Sequence, residues 1–144
     1  MGGGLLESDN DHHWARTNPA CIVCGSANPK GLQIGFYLQA NSICANWIPT
    51  GDWESFQNII HGGIISTVLD EAMSKAIMAH NWEALTVDLR VRFRGRVTPG
   101  ELLLVCGWVV ARQRRKILTE ATLTTSEGKE RAHAWATFLE PPKS

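Results

Sequence analysis

Ile60-His61-Gly62-Gly63-Ile64-Ile65-Ser66-Thr67-Val68-Leu69-Asp70-Glu71-Ala72-Met73 is the stretch that decides the fold. Two glycines open a strongly apolar helix, and two acids follow about two turns later. Residues without side chains at a helix start leave backbone N–H groups bare, where the helix dipole already favours negative charge. A carboxylate flanked by apolar residues farther along is poorly solvated. An oxyanion-binding backbone close to a base is what acyl transfer needs.

Working outward, Ile64, Ile65, Val68, Leu69, Ala72, Met73, Ala76 and Ile77 recur at i, i+3, i+4 spacing and predict one helix over 62–80 with a broad apolar stripe. Before it, Leu32–Gln39 alternates as a strand, Asn41-Ser42 is a turn, and Ile43–Ile48 is its hairpin partner. Pro49–Asn58 is a loop carrying Trp53 and Phe56. After the helix, strands are expected at Leu85–Phe93, Glu101–Ala111, Ile117–Thr125 and Arg131–Leu139, separated by Thr98-Pro99-Gly100, Arg112–Lys116 and Ser126-Glu127-Gly128-Lys129. The order β-β-α-β-β-β-β describes an α+β protein, one long helix covered by an antiparallel sheet. Residues 1–20 are polar, glycine-led and aperiodic and form an expected flexible N-terminal arm. The domain then occupies 21–140, with a short tail at 141–144.

Composition narrows the class. Fourteen basic residues balance fourteen acidic ones, which removes the electrostatic case for nucleic acid or an anionic membrane as partner. No apolar run approaches the ~20 residues that span a bilayer. The first twenty residues hold no signal-peptide core, and position 6 is Leu where a myristoylation motif wants Ser or Thr, so the expected location is cytoplasmic. Four cysteines fit that placement. Cys21 and Cys24 form a CxxC before Gly25, but no second CxxC or suitably spaced HxxxH follows, so the expectation is a tight turn with small buried thiols and no metal. Cys44 and Cys106 sit apart, each in a strand-like segment.

At 100° per residue, Asp70 and Glu71 lie on opposite shoulders of the stripe, each roughly 130° from its centre. Periodicity does not choose between them. Glu71 has Lys75 at i+4, the favourable order for a surface ion pair, whereas Asp70 has only Ser66 and Ser74 on its face. Asp70 is therefore the better base or nucleophile. His61 either orders the loop or takes part in chemistry; Gly62 and Gly63 either permit close helix–strand packing or present N–H groups to a ligand, and both can hold together.

The segment HGGIISTVLDEAM, preceded by the cysteine–glycine turn and NPKGLQIGF, resembles the hotdog-fold acyl-CoA thioesterases of the phenylacetate-pathway type. The resemblance runs from Cys21 to about Leu139 and includes Thr86-Val87-Asp88-Leu89, Val91-Arg92-Phe93 and Thr98-Pro99-Gly100-Glu101. It implies a six-stranded antiparallel sheet around the helix, and homodimers, or dimers of dimers, with active sites at the dimer interface. It implies the Gly62 N–H as oxyanion donor, Asp70 as catalytic acid and Thr86 as the hydroxyl that orients water. No metal or cofactor is implied. In many relatives an Asn stands six residues before the histidine; here Ser55 does, with Asn58 nearer but unaligned. Ser55, Asn58 and Gly63 are the expected substrate contacts around the carbonyl.

Coenzyme A carries phosphates, and Arg112, Arg114, Arg115 and Lys116 cluster at one hairpin tip as their candidate partners or as an ordinary charged turn. Arg90, Arg92, Arg94 and Arg96 read as a solvated strand face, and Trp53, Phe56 and Trp82 are candidates for an acyl tunnel. The implied reaction is hydrolysis of an acyl-CoA thioester. The competing readings are a hotdog hydratase or dehydratase, disfavoured because Gly-Gly rather than Phe-Pro-Gly follows the histidine, and a non-catalytic acyl-thioester-binding protein, which the missing Asn keeps open.

Overall fold

An apolar stripe along a 17-residue helix must be buried, and a curved sheet supplies the cover. The computed structural model describes residues 18–142, so most of the expected arm over 1–20 and the end of the 141–144 tail lie outside the described residues. The strands are β1 (Tyr37–Gln39), β2 (Ser42–Trp47), β3 (Leu85–Phe93), β4 (Leu103–Gln113), β5 (Lys116–Thr125) and β6 (Glu130–Leu139), with helix α1 (Gly62–Met78) between β2 and β3. They form one six-stranded sheet in the order β1-β2-β4-β5-β6-β3, with every neighbouring pair antiparallel. This is the hotdog arrangement. No helix among the described residues is long and apolar enough to cross a membrane.

Helix α1 lies mainly across β4. Ile65, Val68, Leu69, Ala72, Met73, Ala76 and Ile77 are buried against Val105, Ile117, Ala121, Leu123, Ala132, Ala134 and Phe138 of the sheet, as the stripe requires. The approach is closest at Gly107 of β4, where an added Cβ would stand 2.6 Å from the Ala72 backbone carbon. No real side chain fits there, so glycine lets the helix backbone rest on the strand.

Three expectations need correction. Of Leu32–Gln39 only Tyr37–Gln39 is strand. The alternation is real, since Ile34 and Phe36 are buried, but Gln33 adopts φ 54° and the Leu32 and Ile34 N–H groups bond to the Ile22 and Val23 carbonyls. That segment docks on the cysteine turn instead of pairing with β2. β4 begins at Leu103, not Glu101, because Glu101 still belongs to the preceding turn, donating its N–H to Thr98 while Gly100 sits at φ +88°. Cys44 and Cys106 are not separate thiols: they face each other across the β2–β4 register and form a disulfide.

Among the described residues, β3 stands at one edge of the sheet and the short β1 at the other. Leu85, Val87, Leu89 and Phe93 along β3 are all exposed, an unusual amount of apolar surface beside an unpaired row of backbone donors and acceptors. The Gly107–Ala72 contact yields a direct expectation. Gly107→Ala should destabilise the protein by roughly 1–3 kcal/mol, because α1 must lift from β4 to admit the methyl group. A melting temperature within a degree of wild type would refute the close-contact reading.

Candidate active site

The start of α1 is built by His61. Its backbone is extended at the N-cap, and its imidazole Nδ1 accepts the Gly63 N–H at 2.8 Å. Its carbonyl accepts the Ile64 and Ile65 N–H groups at 3.0 and 3.2 Å. A Cβ on Gly63 would meet that imidazole nitrogen at 3.0 Å, so glycine is what allows the cap to form. Among the described residues, the Gly62 N–H meets no acceptor. Gly62 itself is covered by the Phe93 ring of β3, which would stand 3.3 Å from an added Cβ. Both readings of the glycine pair hold: close packing against a strand, and one exposed donor at the positive end of the helix.

Two turns on, the acids separate as the helical geometry demands. Asp70 faces β3, where Thr86 Oγ1 donates to Asp70 Oδ1 at 2.8 Å. The β3–β6 register slips between Thr86 and Asp88. Such a bulge re-aims side chains and is common beside functional sites. Burial pushes the Asp70 pKa above the ordinary carboxylate value, and the Thr86 hydrogen bond pulls it partly back. Glu71 faces the other way, toward the cysteine turn. Its partner Lys75 is fully buried, with Nζ 3.9 Å from Glu71 Oε2, so the expected surface ion pair is an interior one. The i+4 spacing correctly named the partner. Sequence could not show that the CxxC turn would roof it.

A cavity of about 570 Å³ lies at the far end of the helix, lined by Ser74, Ile77, Met78, Trp82, Leu85 and Pro141 among others. Ser74 is one turn beyond Asp70, and Leu85 adjoins Thr86. Of the three aromatics considered for an apolar tunnel, only Trp82 lines this space. Trp53 sits with His61, Gly63 and Thr67 in a shallow recess at the helix start, and Phe56 is exposed. Trp82 is fixed from two sides: His80 stacks on it at 4.4 Å, and the Arg112 guanidinium lies 4.2 Å from its ring centre. Burial and then Arg112 depress the His80 pKa, so that imidazole is neutral at neutral pH.

The basic hairpin tip touches the wall of this cavity through Arg112, which packs on Trp82. Arg112 pairs with Glu140 at 2.6 Å, and Arg115 Nε donates to the Glu140 carbonyl at 2.9 Å. Arg114 occupies the turn at φ 59°, and Lys116 is exposed at the start of β5. Arg112 and Trp82 thus join the tip to the cavity wall. Glu140 went unremarked in the sequence because β6 brings it to the tip from 25 residues away. Ser55 and Asn58 stay within their own loop: Ser55 bonds the Ile59 carbonyl, and Asn58, at φ 63°, donates its N–H to Glu54. Asn58 is a turn residue here.

The raised pKa of Asp70 fixes a sign. Its folded value lies above its unfolded value, so its contribution to stability is present at low pH and is lost as pH rises through the folded value. At neutral pH the ionised carboxylate is a burden on the fold. Asp70→Asn should therefore melt no lower than wild type at neutral pH, and the difference should shrink toward acid pH. A variant several degrees less stable at neutral pH would contradict this.

Comparison with known proteins agrees with the architecture. The thioesterase superfamily profile matches residues 57–132, from the loop before His61 into β6. A solved thioesterase superfamily protein superposes with a TM-score of 0.79 at 21% identity over 87% of this chain, which spans 61% of that longer chain. A Streptococcus mutans protein bound to acetyl CoA gives 0.71 at 19% identity, covering 76% of this chain and 90% of its own. A hypothetical thioesterase from Streptococcus pneumoniae with coenzyme A gives 0.71 at 14%, covering 76% and 87%. That protein has also been solved as an aspartate-to-alanine variant and as a threonine-to-alanine variant, at positions sixteen residues apart. No curated protein matches the chain. At these identities the likeness to solved structures is one of fold, while the profile covers more than half of the sequence, and on that ground the chain belongs to the thioesterase superfamily.

Proposed function

We propose that this protein hydrolyses acyl-CoA thioesters to free acid and CoA, as a homodimer with its active sites between subunits. The observation that carries the reading is Asp70: a poorly solvated carboxylate oriented by the Thr86 hydroxyl, on the same helix whose first N–H is left open at Gly62. Aspartate and threonine sixteen positions apart are also the pair replaced in the Streptococcus pneumoniae relative, and Asp70 and Thr86 have that spacing.

Distance supports the dimer. Gly62 and Asp70 are eight residues apart on one helix, an axial rise of about 12 Å. A single thioester carbonyl needs its oxyanion donor and its base each within about 3 Å of a reacting atom. One subunit does not bring these two groups onto the same carbonyl. If two β3 edges pair antiparallel, the Phe93 end of one strand, which covers Gly62, meets the Thr86 end of the other, which holds Asp70. The exposed Leu85, Val87, Leu89 and Phe93 would be buried by that pairing.

In this arrangement the Gly62 N–H of one subunit donates to the thioester oxygen and stabilises the developing oxyanion. Asp70 of the other uses Oδ2, the oxygen Thr86 leaves free, to take a proton from water as it attacks the carbonyl carbon. The tetrahedral intermediate then collapses and expels the CoA thiolate, which is a good leaving group and gains a proton. Burial suits this role, since a carboxyl with a raised pKa is a stronger base near neutrality. The acyl group would occupy the cavity lined by Ile77, Met78, Trp82 and Leu85, and the CoA phosphates would meet Arg114, Arg115 and Lys116 at the hairpin tip that Arg112 joins to Trp82. The two Streptococcus structures with CoA ligands support a CoA ester as substrate.

Thiol release from a panel of acyl-CoA esters tests the reading. Asp70→Asn should lower turnover at least about a hundredfold with the fold intact. Thr86→Val should shift the acid limb of the rate profile to higher pH, because the hydrogen bond that lowers the Asp70 pKa is gone. Hydration of an enoyl-CoA without thiol release, or tight binding without turnover in wild type, would replace this reading with one of its competitors. Arg115→Ala should raise the Michaelis constant for CoA esters more than it lowers turnover; an unchanged constant would leave Arg115 merely a tie to Glu140.

A further inference from the structure

One reactive cluster takes no part in the proposed hydrolysis. Cys21 Sγ, Cys24 Sγ and a carboxylate oxygen of Glu71 lie within 4.8 Å of one another. The two sulfurs come from the turn before Gly25, whose N–H bonds the Cys21 carbonyl at 3.0 Å, and the carboxylate comes from the shoulder of α1 that faces this turn. The sequence shows a two-cysteine turn without a second pair. The fold brings a third ligand to it from the central helix, fifty residues away.

We propose that Cys21, Cys24 and Glu71 bind one zinc ion, which fastens the cysteine turn to helix α1. Spacing supports this. Zinc bonds of about 2.3 Å to sulfur and about 2.1 Å to oxygen, at a tetrahedral angle, place the two ligand atoms about 3.6 Å apart. Cys21 Sγ and Glu71 Oε2 are 3.7 Å apart. The surroundings also match. The Val23 and Cys24 N–H groups both converge on Cys21 Sγ, at 3.4 and 3.5 Å. Such outer hydrogen bonds hold metal-bound sulfur in place.

Charge closes the case. Two thiolates and one carboxylate carry three negative charges, and a divalent ion with the buried Lys75 ammonium beside Glu71 cancels them. Binding then displaces one proton from each thiol to solvent, leaving two sulfur–metal bonds and one oxygen–metal bond. Soft sulfur ligands select zinc over magnesium or calcium. All three ligand residues are partly exposed, so the ion can reach the site and a water can complete its coordination.

The test uses the full chain, purified under reductant, stripped with chelator and titrated with cobalt(II), then zinc. Thiolate-to-cobalt charge transfer with tetrahedral d–d absorption should saturate at one ion per chain, vanish on adding zinc, and be accompanied by a rise in melting temperature. Cys21→Ser with Cys24→Ser should abolish the signal, and Glu71→Gln should weaken binding at least tenfold. Should the double cysteine variant not fold, the wild-type titration and Glu71→Gln decide between them. Fully reduced wild type without the band, or binding unchanged in Glu71→Gln, overturns the proposal. So does a Cys21–Cys24 disulfide that forms in air in a protein whose reduced form ignores zinc. None of these readouts depends on hydrolysis, so a failure of the metal site leaves the proposed reaction untouched.

Discussion

The contact between Gly107 and the Ala72 backbone governs the rest of the molecule. Where a helix lies on a sheet through side chains, its rotation is set by many soft contacts. Here one position admits only a glycine, and the backbone of α1 is seated there at near-contact distance. With the sheet side of the helix fixed at Ala72, the directions of all other positions follow at 100° per residue. Asp70 and Glu71 leave the interface on opposite shoulders, one toward the edge strand β3 and the other toward the cysteine turn. The placement of both acids therefore depends on a packing detail outside either of them.

Much of this was legible before any coordinates. Helix α1 and strand β3 could be placed because their patterns are long and uninterrupted: a 3.6-residue stripe for the helix, and turn signals on both sides of Leu85–Phe93. Strand β1 was overestimated because alternation reports which side is buried, not what the backbone pairs with. Ile34 and Phe36 are buried as expected, yet with Gln33 left-handed the Leu32 and Ile34 N–H groups go to the cysteine turn rather than to β2. At the site, the choice of Asp70 over Glu71 came from the cation at i+4 and from family resemblance. The interior character of the Glu71–Lys75 pair was hidden, because it depends on a loop fifty residues earlier in the chain. The disulfide was hidden for the same reason: strand register, not spacing, sets Cys44 opposite Cys106.

The edge strand joins fold to function. β3 supplies Phe93 to cover Gly62 at one end and Thr86 to orient Asp70 at the other, so a single strand touches both candidate catalytic elements. It also ends the sheet, with apolar side chains left in solvent. An isolated chain would leave that edge open to indiscriminate pairing. Pairing with a second copy would close the edge and, because antiparallel strands run opposite ways, set the open N–H of one helix against the carboxylate of the other. Edge protection and assembly of the site would then be the same event, and catalytic competence would follow the monomer–dimer equilibrium.

Asp70 and Glu71 are joined by one peptide bond in the middle of a rigid helix, so their environments are mechanically linked. Asp70 is functional in the proposed reaction because it is incompletely stabilised: it is buried enough to be a stronger base and is held by one hydroxyl. Glu71 is the reverse, a carboxylate among an ammonium and two sulfurs. A poorly solvated charge tends to swing its side chain, or fray its helix, toward water. A helix anchored on its opposite shoulder resists both. Tightening the Glu71 side, whether by Lys75 alone or by an ion shared with Cys21 and Cys24, limits the rotation by which Asp70 could escape from Thr86. The cluster that takes no part in the proposed hydrolysis would in this way help keep the Asp70 carboxylate where solvent serves it badly.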